Sequence, residues 1–141
     1  MRRTLWIVTC LLLGCCATTL HRQAELAEQT AILIDSAGAA IEREAADSWA
    51  AIDGSASPES VAARARLRRI FEPLVAAYNT LRAAQIAYKA SLEAANDAGA
   101  AKASDAPLKA LVAAWQEFSR QADVVGVKVP KIPKALLGGD P

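Results

Sequence analysis

The chain has 141 residues, of which 53% are hydrophobic and 5% aromatic, with a net charge of +1. This length allows one small domain, and the near-neutral charge argues against the concentrated basic face that nucleic-acid binding requires. All three cysteines lie in the first sixteen residues, which excludes a disulfide framework and a cysteine metal site from the remainder. Alanine supplies about a quarter of the residues and favours helix, because it loses no side-chain entropy there.

The first sixteen residues combine three features that are typical of a secretion leader. Arg2 and Arg3 give a positive start, residues 5–13 form an apolar run, and Gly14 stands directly before Cys15. A membrane-spanning helix needs roughly 20 apolar residues, so the run is shorter than a full span. The order of these parts predicts export.

The sequence Leu12-Leu13-Gly14-Cys15 resembles the lipobox of bacterial lipoproteins. The resemblance implies that Leu12, Leu13 and Gly14 are recognised by the signal peptidase, that Cys15 receives a diacylglyceryl group, and that the new amino terminus is acylated, commonly with palmitate. Leu13 departs from the small or β-branched residue commonest at its position. Cys16 at mature position two is not the aspartate that marks inner-membrane retention, so the resemblance implies the outer membrane, facing the periplasm, in a Gram-negative cell.

Two other outcomes stay open for the leader. If the apolar run extends to Leu20, the segment is an uncleaved signal anchor of marginal length. The small residues of Cys15-Cys16-Ala17 also suit an ordinary signal peptidase.

The rest of the chain predicts an all-α fold, with a long antiparallel helical hairpin, a third shorter helix packed as in a three-helix bundle, and an extended proline-containing C-terminal tail. The predicted division is a signal peptide at 1–14, a lipidated tether at 15–19, the helical bundle at 20–126 and the tail at 127–141. Apolar or small residues spaced alternately by four and three, as in a coiled coil, indicate the first helix. They are Leu20, Ala24, Ala27, Ala31, Ile34, Gly38, Ile41, Ala45, Ser48 and Ile52.

The second helix has a clear start. Ser57 can cap it, Pro58 suits the first helical position, and Glu59 adds favourable charge in the first turn. Pro73 predicts a kink, because proline removes a hydrogen bond and clashes with the preceding turn. Gly99 follows its end. The predicted core-facing seam is Leu67, Phe71, Leu74, Tyr78, Leu81, Gln85, Tyr88, Leu92 and Ala95.

The third helix is predicted to begin at Ser104 or Asp105 and to end at Gly126. Its predicted apolar face is Leu108, Leu111, Val112, Trp115, Phe118, Ala122 and Val125. Residues 127–134 contain two prolines and are predicted to be extended, either as a strap on the bundle or as an arm that reaches a partner. Residues 135–141 are expected to fray. Trp49 and Trp115 are expected in the core.

No constellation for catalysis, a cofactor or a metal is predicted, so the chain is not expected to be an enzyme. His21 is the single histidine, with no second histidine or body cysteine to complete a metal or catalytic site. The densest charge is the basic run Arg64, Arg66, Arg68 and Arg69. It is either an anion-binding patch or a solvated helix face paired with acidic residues.

These features favour a membrane-anchored cell-envelope lipoprotein that acts as a non-enzymatic scaffold or partner-binding helical module. The expected partners are the membrane, through the lipid, and an envelope protein or a second copy of the chain, without nucleic acid. One alternative is a phage or prophage lysis-associated outer-membrane lipoprotein, similar to a spanin, whose proline-rich end would contact an inner-membrane partner. The other is a binder of anionic envelope polymer through Arg64 to Arg69.

Overall fold

The computed structural model describes residues 2–52 and 54–137, with side chains from Thr19 onward. This part of the chain contains α1 (Arg2–Ala50), α2 (Pro58–Asp97), α3 (Asp105–Val125) and a short 3-10 helix, η1 (Lys134–Leu137). The described residues include no strand. The prediction of an all-α fold with a long helix pair and a shorter third helix is therefore confirmed, although α1 begins before the predicted first helix.

The ends of α2 and α3 follow local signals in the sequence. The Ser57 hydroxyl accepts a hydrogen bond from the backbone N–H of Ser60 at 3.2 Å, and the Ser104 hydroxyl accepts one from Ala106 at 3.4 Å. These bonds satisfy amide groups that have no partner inside the first turn. Gly126 ends α3 with φ 82°, a left-handed conformation in which a Cβ atom would be strained. Both predicted starts and the predicted end of α3 are confirmed.

Pro73 does not divide α2, which continues through it as one helix from Pro58 to Asp97. The proline lies on the exposed side of the helix. The seam residues on either side of it, Phe71 and Leu74, are both buried, so the apolar face continues across the proline.

The central helix of the fold is α2, because it packs against both α1 and α3. Glu28 of α1 lies opposite Lys89, and Trp49 lies opposite Arg68, so α1 and α2 are antiparallel. At 1.5 Å per residue, the length of α1 from residue 20 to residue 50 is about 45 Å. We call one end of the bundle the Leu20 end, where Leu20 lies near the connection after α2. We call the other end, at residues 51–52 and 54–57, the tip.

The core lies between α2 and its two neighbours. Every predicted seam residue of α2 and α3 is buried or half-buried, and so is every one of α1 except Ala24. The largest fully buried side chains are Trp115, Tyr88, Phe118, Ile34, Leu74, Leu81, Leu111 and Thr30. The expectation that Trp49 is a core residue is wrong, since it is 36% exposed at the tip, whereas Trp115 is fully buried as expected.

The C-terminal segment folds back along α3. Val127 and Leu136 are buried, and η1 packs against α3 with Leu136 in a shallow groove beside Leu108 and Val112. Of the two predicted roles, the structure therefore has the strap on the bundle, and we call residues 127–137 the strap. Residues 135–137 were expected to fray but belong to η1, because Leu136 is held in the core. Residues 138–141 lie outside the described part of the chain.

Candidate functional site

The candidate lipidation site lies outside the described side chains. Leu12, Leu13, Gly14 and Cys15 all precede Thr19, where the description of side chains begins. Within the residues that the structure describes, no helix is long and apolar enough to cross a membrane. The roles of these four residues therefore remain predictions from the sequence.

A groove of about 560 Å³ opens at the Leu20 end, between residues 20–28 of α1 and the last turns of α2. Small and apolar side chains line much of it, among them Leu20, Ala24, Ala27 and Leu92. Its polar lining includes the ion pair of Lys89 Nζ with Glu28 Oε1, at 2.7 Å. The hydrogen bond and the charge of Glu28 raise the pKa of Lys89, so this amine stays protonated at neutral pH.

His21 also lines this groove and contacts one acidic side chain. Its Nε2 atom lies 3.3 Å from Glu25 Oε1, one helical turn away, and both side chains are mostly exposed. The described residues contain no group of three His, Cys, Asp or Glu side chains that could hold a metal ion. The pair therefore has the geometry of an ordinary surface contact between residues four apart on a helix.

The four arginines near the tip differ in their contacts. Arg64 Nη2 donates a hydrogen bond to the backbone oxygen of Ser55 at 2.6 Å. The Arg68 guanidinium lies over the Trp49 ring, 5.9 Å from its centroid, in the range of a cation–π contact. These two arginines are four residues apart and lie on one side of α2. Arg64 connects α2 to the turn before it, and Arg68 connects α2 to α1.

Arg66 and Arg69 lie on another side of α2 and are exposed. None of the ion pairs between described residues includes Arg66, Arg68 or Arg69, so the predicted alternative of pairing with neighbouring acids is not observed for these three. The basic run thus divides into one pair that braces the tip and one pair that faces solvent.

The α1–α2 interface has a charge pattern that the sequence analysis missed. Three acidic residues of α1, Glu28, Asp35 and Glu42, lie seven residues apart, and Trp49 follows Glu42 at the same spacing. In the antiparallel partner, Arg68 is followed at the same spacing by Val75, Arg82 and Lys89. The spacing from Glu28 to Trp49 in α1 equals the spacing from Arg68 to Lys89 in α2. The contacts of Glu28 with Lys89 and of Trp49 with Arg68 therefore form in the same alignment of the two antiparallel helices. A seven-residue spacing of opposite charges in two helices was the signal that could have predicted this register.

Tyr78 lies in the middle of this interface. Burial raises the pKa of its hydroxyl, the Arg82 charge opposes that rise, and the charges of Asp35 and Glu42 add to it. The phenol is therefore neutral at physiological pH, and its ring packs against Phe118 of α3 at a tilt of 55°, with ring centroids 6.0 Å apart. Tyr78 thus links all three helices, since it also lies against Gly38 of α1.

Comparison with known proteins adds no relative. The chain matches no protein-family model, no curated protein and no solved structure. The functional argument therefore depends on the leader sequence and on the geometry of the described residues.

Proposed function

We propose that this protein is a lipid-anchored component of the bacterial cell envelope whose helical body is a non-enzymatic scaffold or partner-binding module. The observation that carries the proposal is the lipobox-like sequence that ends at Cys15, only a few residues before the bundle begins. Two lipid signals are enough for lasting attachment to a membrane, so a lipidated and N-acylated cysteine would fix the Leu20 end there.

The mechanism in this proposal is positional. An anchor next to the Leu20 end confines the bundle to the membrane and raises its effective concentration near partners in the same envelope layer. The hairpin is about 45 Å long from residue 20 to residue 50, so its tip can contact partners well away from the site of attachment. The exposed Trp49 and the Arg68 guanidinium above it are a compact amphipathic surface at that tip.

Two features weaken the alternatives. The proline-containing segment returns along α3 toward the Leu20 end, which gives little support to a spanin-like arm that extends from the anchor to a distant partner. The four arginines divide into two pairs, and Arg64 and Arg68 are engaged within the hairpin. A polymer site that uses all four at once therefore has less support than a scaffold.

The first test is processing of the chain in a bacterium. We expect the wild-type protein to fractionate with membranes and to have an intact mass that begins at Cys15 with added acyl chains. The Cys15→Ala variant should lose processing, because the acyl acceptor is gone, whereas the matched Cys16→Ala variant should be processed as wild type. A full-length membrane-bound wild type would instead indicate a signal anchor, and a soluble chain without lipid would indicate an ordinary signal peptidase. Either result would contradict the proposal.

A further inference from the structure

The strap runs back along α3 from Gly126 to the groove that holds Leu136. Because Leu136 lies beside Val112, the ten residues from 127 to 136 cover about fourteen residues of α3, or about 21 Å. Residues 127–133 form neither helix nor strand, and the last residues of the strap form η1. Pro130 and Pro133 keep the part before η1 out of a regular helix.

Side chains along the strap alternate with a period of three. Lys128, Lys131 and Lys134 are exposed, whereas Val129 and Ile132 pack against the core. The three lysines thus recur at every third residue along the exposed side of the strap, and the last of them begins η1. We call these three residues the lysine row.

The lysine row is a local concentration of positive charge. It contains half of the six lysines of the chain, and no acidic residue occurs between residues 124 and 139. None of the ion pairs between described residues involves it. The nearest basic residue along α3, Arg120, is held by Glu117, whose pKa is lowered to about 2 by hydrogen bonds from Arg120 and Gln121. The lysines are therefore available to an external anion.

We infer that the lysine row docks the bundle sideways onto the anionic surface of a phospholipid membrane. The inference rests on the proposed function, because a lipid at Cys15 would bring the Leu20 end to the bilayer. The strap ends in the groove beside Leu108, in the first turn of α3, and the short α2–α3 connection places that turn near the Leu20 end. The row runs parallel to the helices, and an elongated bundle touches a flat surface along such a line.

The membrane surface fits these observations better than a soluble polyanion does. A lipid anchor and a basic segment are the usual two signals of stable attachment, and each lysine near an anionic surface adds about fivefold to the docked population. Three lysines would thus favour the docked orientation by on the order of 100-fold at low salt. This preference for the docked orientation should decrease as salt screens the charge of the membrane surface.

The direct test is acetylation of lysines on vesicles. The mature protein, purified from bacterial membranes, is incorporated into phosphatidylcholine vesicles with or without phosphatidylglycerol and treated with an amine-acetylating reagent. Peptide mass spectrometry then gives the rate at each lysine. We expect the lysine row to react several-fold more slowly on the anionic vesicles and to regain its rate at about 1 M salt. Lys89, which is paired with Glu28 between α1 and α2, is the internal control and should react alike on both. Equal rates for the lysine row on both vesicles would overturn the inference.

Two further arms separate the explanations. If the intact mass shows no acyl chain on Cys15, the proposed function fails, and the same labelling with vesicles in excess still decides whether the lysine row binds them. If soluble polyphosphate protects the lysine row as well as vesicles of equal phosphate content do, the membrane assignment is overturned in favour of a linear polyanion.

Variants test the sideways orientation. In a Trp115→Phe background, where Trp49 is the one tryptophan that follows Cys15, energy transfer from Trp49 to a dansyl-labelled lipid headgroup reports how near the tip lies to the bilayer. We expect transfer on anionic vesicles to fall to the level of neutral vesicles in the Lys128→Gln, Lys131→Gln, Lys134→Gln variant. The control is a variant with the same change in net charge on exposed residues outside the strap, Arg22→Gln, Arg43→Gln, Lys102→Gln. It should retain the wild-type energy transfer. Loss of transfer in both variants, or in neither, would contradict docking through the lysine row.

Discussion

Gly38 of α1 lies directly against the ring of Tyr78 of α2. A Cβ atom built on it would lie 2.9 Å from Cζ of Tyr78 and would overlap the hydroxyl. Glycine normally weakens a helix interior by about 1 kcal/mol relative to alanine. At this position the absence of a side chain is what allows Tyr78 to pack between Gly38 and Phe118.

We therefore expect Gly38→Ala to lower the free energy of unfolding by about 1 kcal/mol, since overlap in a packed interface costs about 1–3 kcal/mol and exceeds the gain in helix propensity. In a Tyr78→Leu background the ring is gone, so the same substitution should raise the free energy of unfolding by about 1 kcal/mol. Urea unfolding followed by circular dichroism measures both changes. The exposed neighbour Ser36 is the control, since Ser36→Ala should change stability by less than about 0.5 kcal/mol. A stabilising Gly38→Ala in the wild-type background would show that Tyr78 moves aside without cost.

At the scale of elements, the strap depends on one buried side chain near its end. Leu136 is 4% exposed, whereas the adjacent Leu137 is 52% exposed. We expect Leu136→Ala to lower the free energy of unfolding by about 2 kcal/mol, at the low end for a buried leucine because a terminal segment can partly collapse onto the space left. Leu137→Ala has the same change in volume and should cost less than about 0.5 kcal/mol.

The urea concentration at the midpoint of unfolding would distinguish these two variants, provided that the free energy of unfolding falls with urea at the same slope in both. Proteolysis offers a second measurement, since a released strap should be cut after its lysines sooner in Leu136→Ala than in Leu137→Ala. Equal behaviour of the two variants would mean that the strap does not depend on the core contact of Leu136.

The helices were predictable because their signals are local. Ser57 and Pro58, Ser104, and Gly126 determine helix ends through hydrogen bonds and backbone angles within a few residues. The seam spacing likewise depends only on residues three and four apart. These signals located α2 and α3 to within a residue or two.

Features that depend on docking were less predictable. Thr30 and Ala37 are fully buried, although neither belongs to the predicted seam of α1. The buried face of that helix is therefore wider than a seam with residues spaced by four and three. The Thr30 hydroxyl is satisfied internally, by donating to the backbone oxygen of Leu26 at 2.6 Å, so a polar side chain is tolerated there. The strap follows α3 because Leu136 is buried against it. The sequence of the tail does not show whether the fold offers a buried position for this leucine, so both the strap and the arm stayed open.

For the whole molecule, the three helices do not overlap over their full lengths. Phe118 lies against Tyr78, and α3 ends seven residues later at Val125, about 10 Å closer to the tip. α2 extends further toward the tip, to Pro58, and before Phe71 its one buried residue is Ser60. Near the tip, α1 and α2 thus pack mainly against each other.

This unequal coverage predicts a gradient of local stability along the bundle. We expect amide hydrogens between residues 74 and 92 of α2 to exchange slowest, and those between residues 61 and 69 to exchange at least tenfold faster, since they open without disturbing α3. Hydrogen exchange followed by mass spectrometry on overlapping peptides measures this difference. Equal protection of both segments would contradict the gradient and would indicate that the bundle opens as one cooperative unit.

The fold-back of the strap also determines where a reporter can be attached. A fluorescent protein or affinity tag that follows Leu137 would be held beside the first turn of α3, at the same end of the bundle as the predicted anchor, and would be crowded by the bilayer. An epitope inserted at Gly54, in the exposed turn of the tip, would stand at the other end of a hairpin about 45 Å long. A tag in the internal turn is therefore far from the predicted anchor, whereas a tag on the C-terminal side lies beside it.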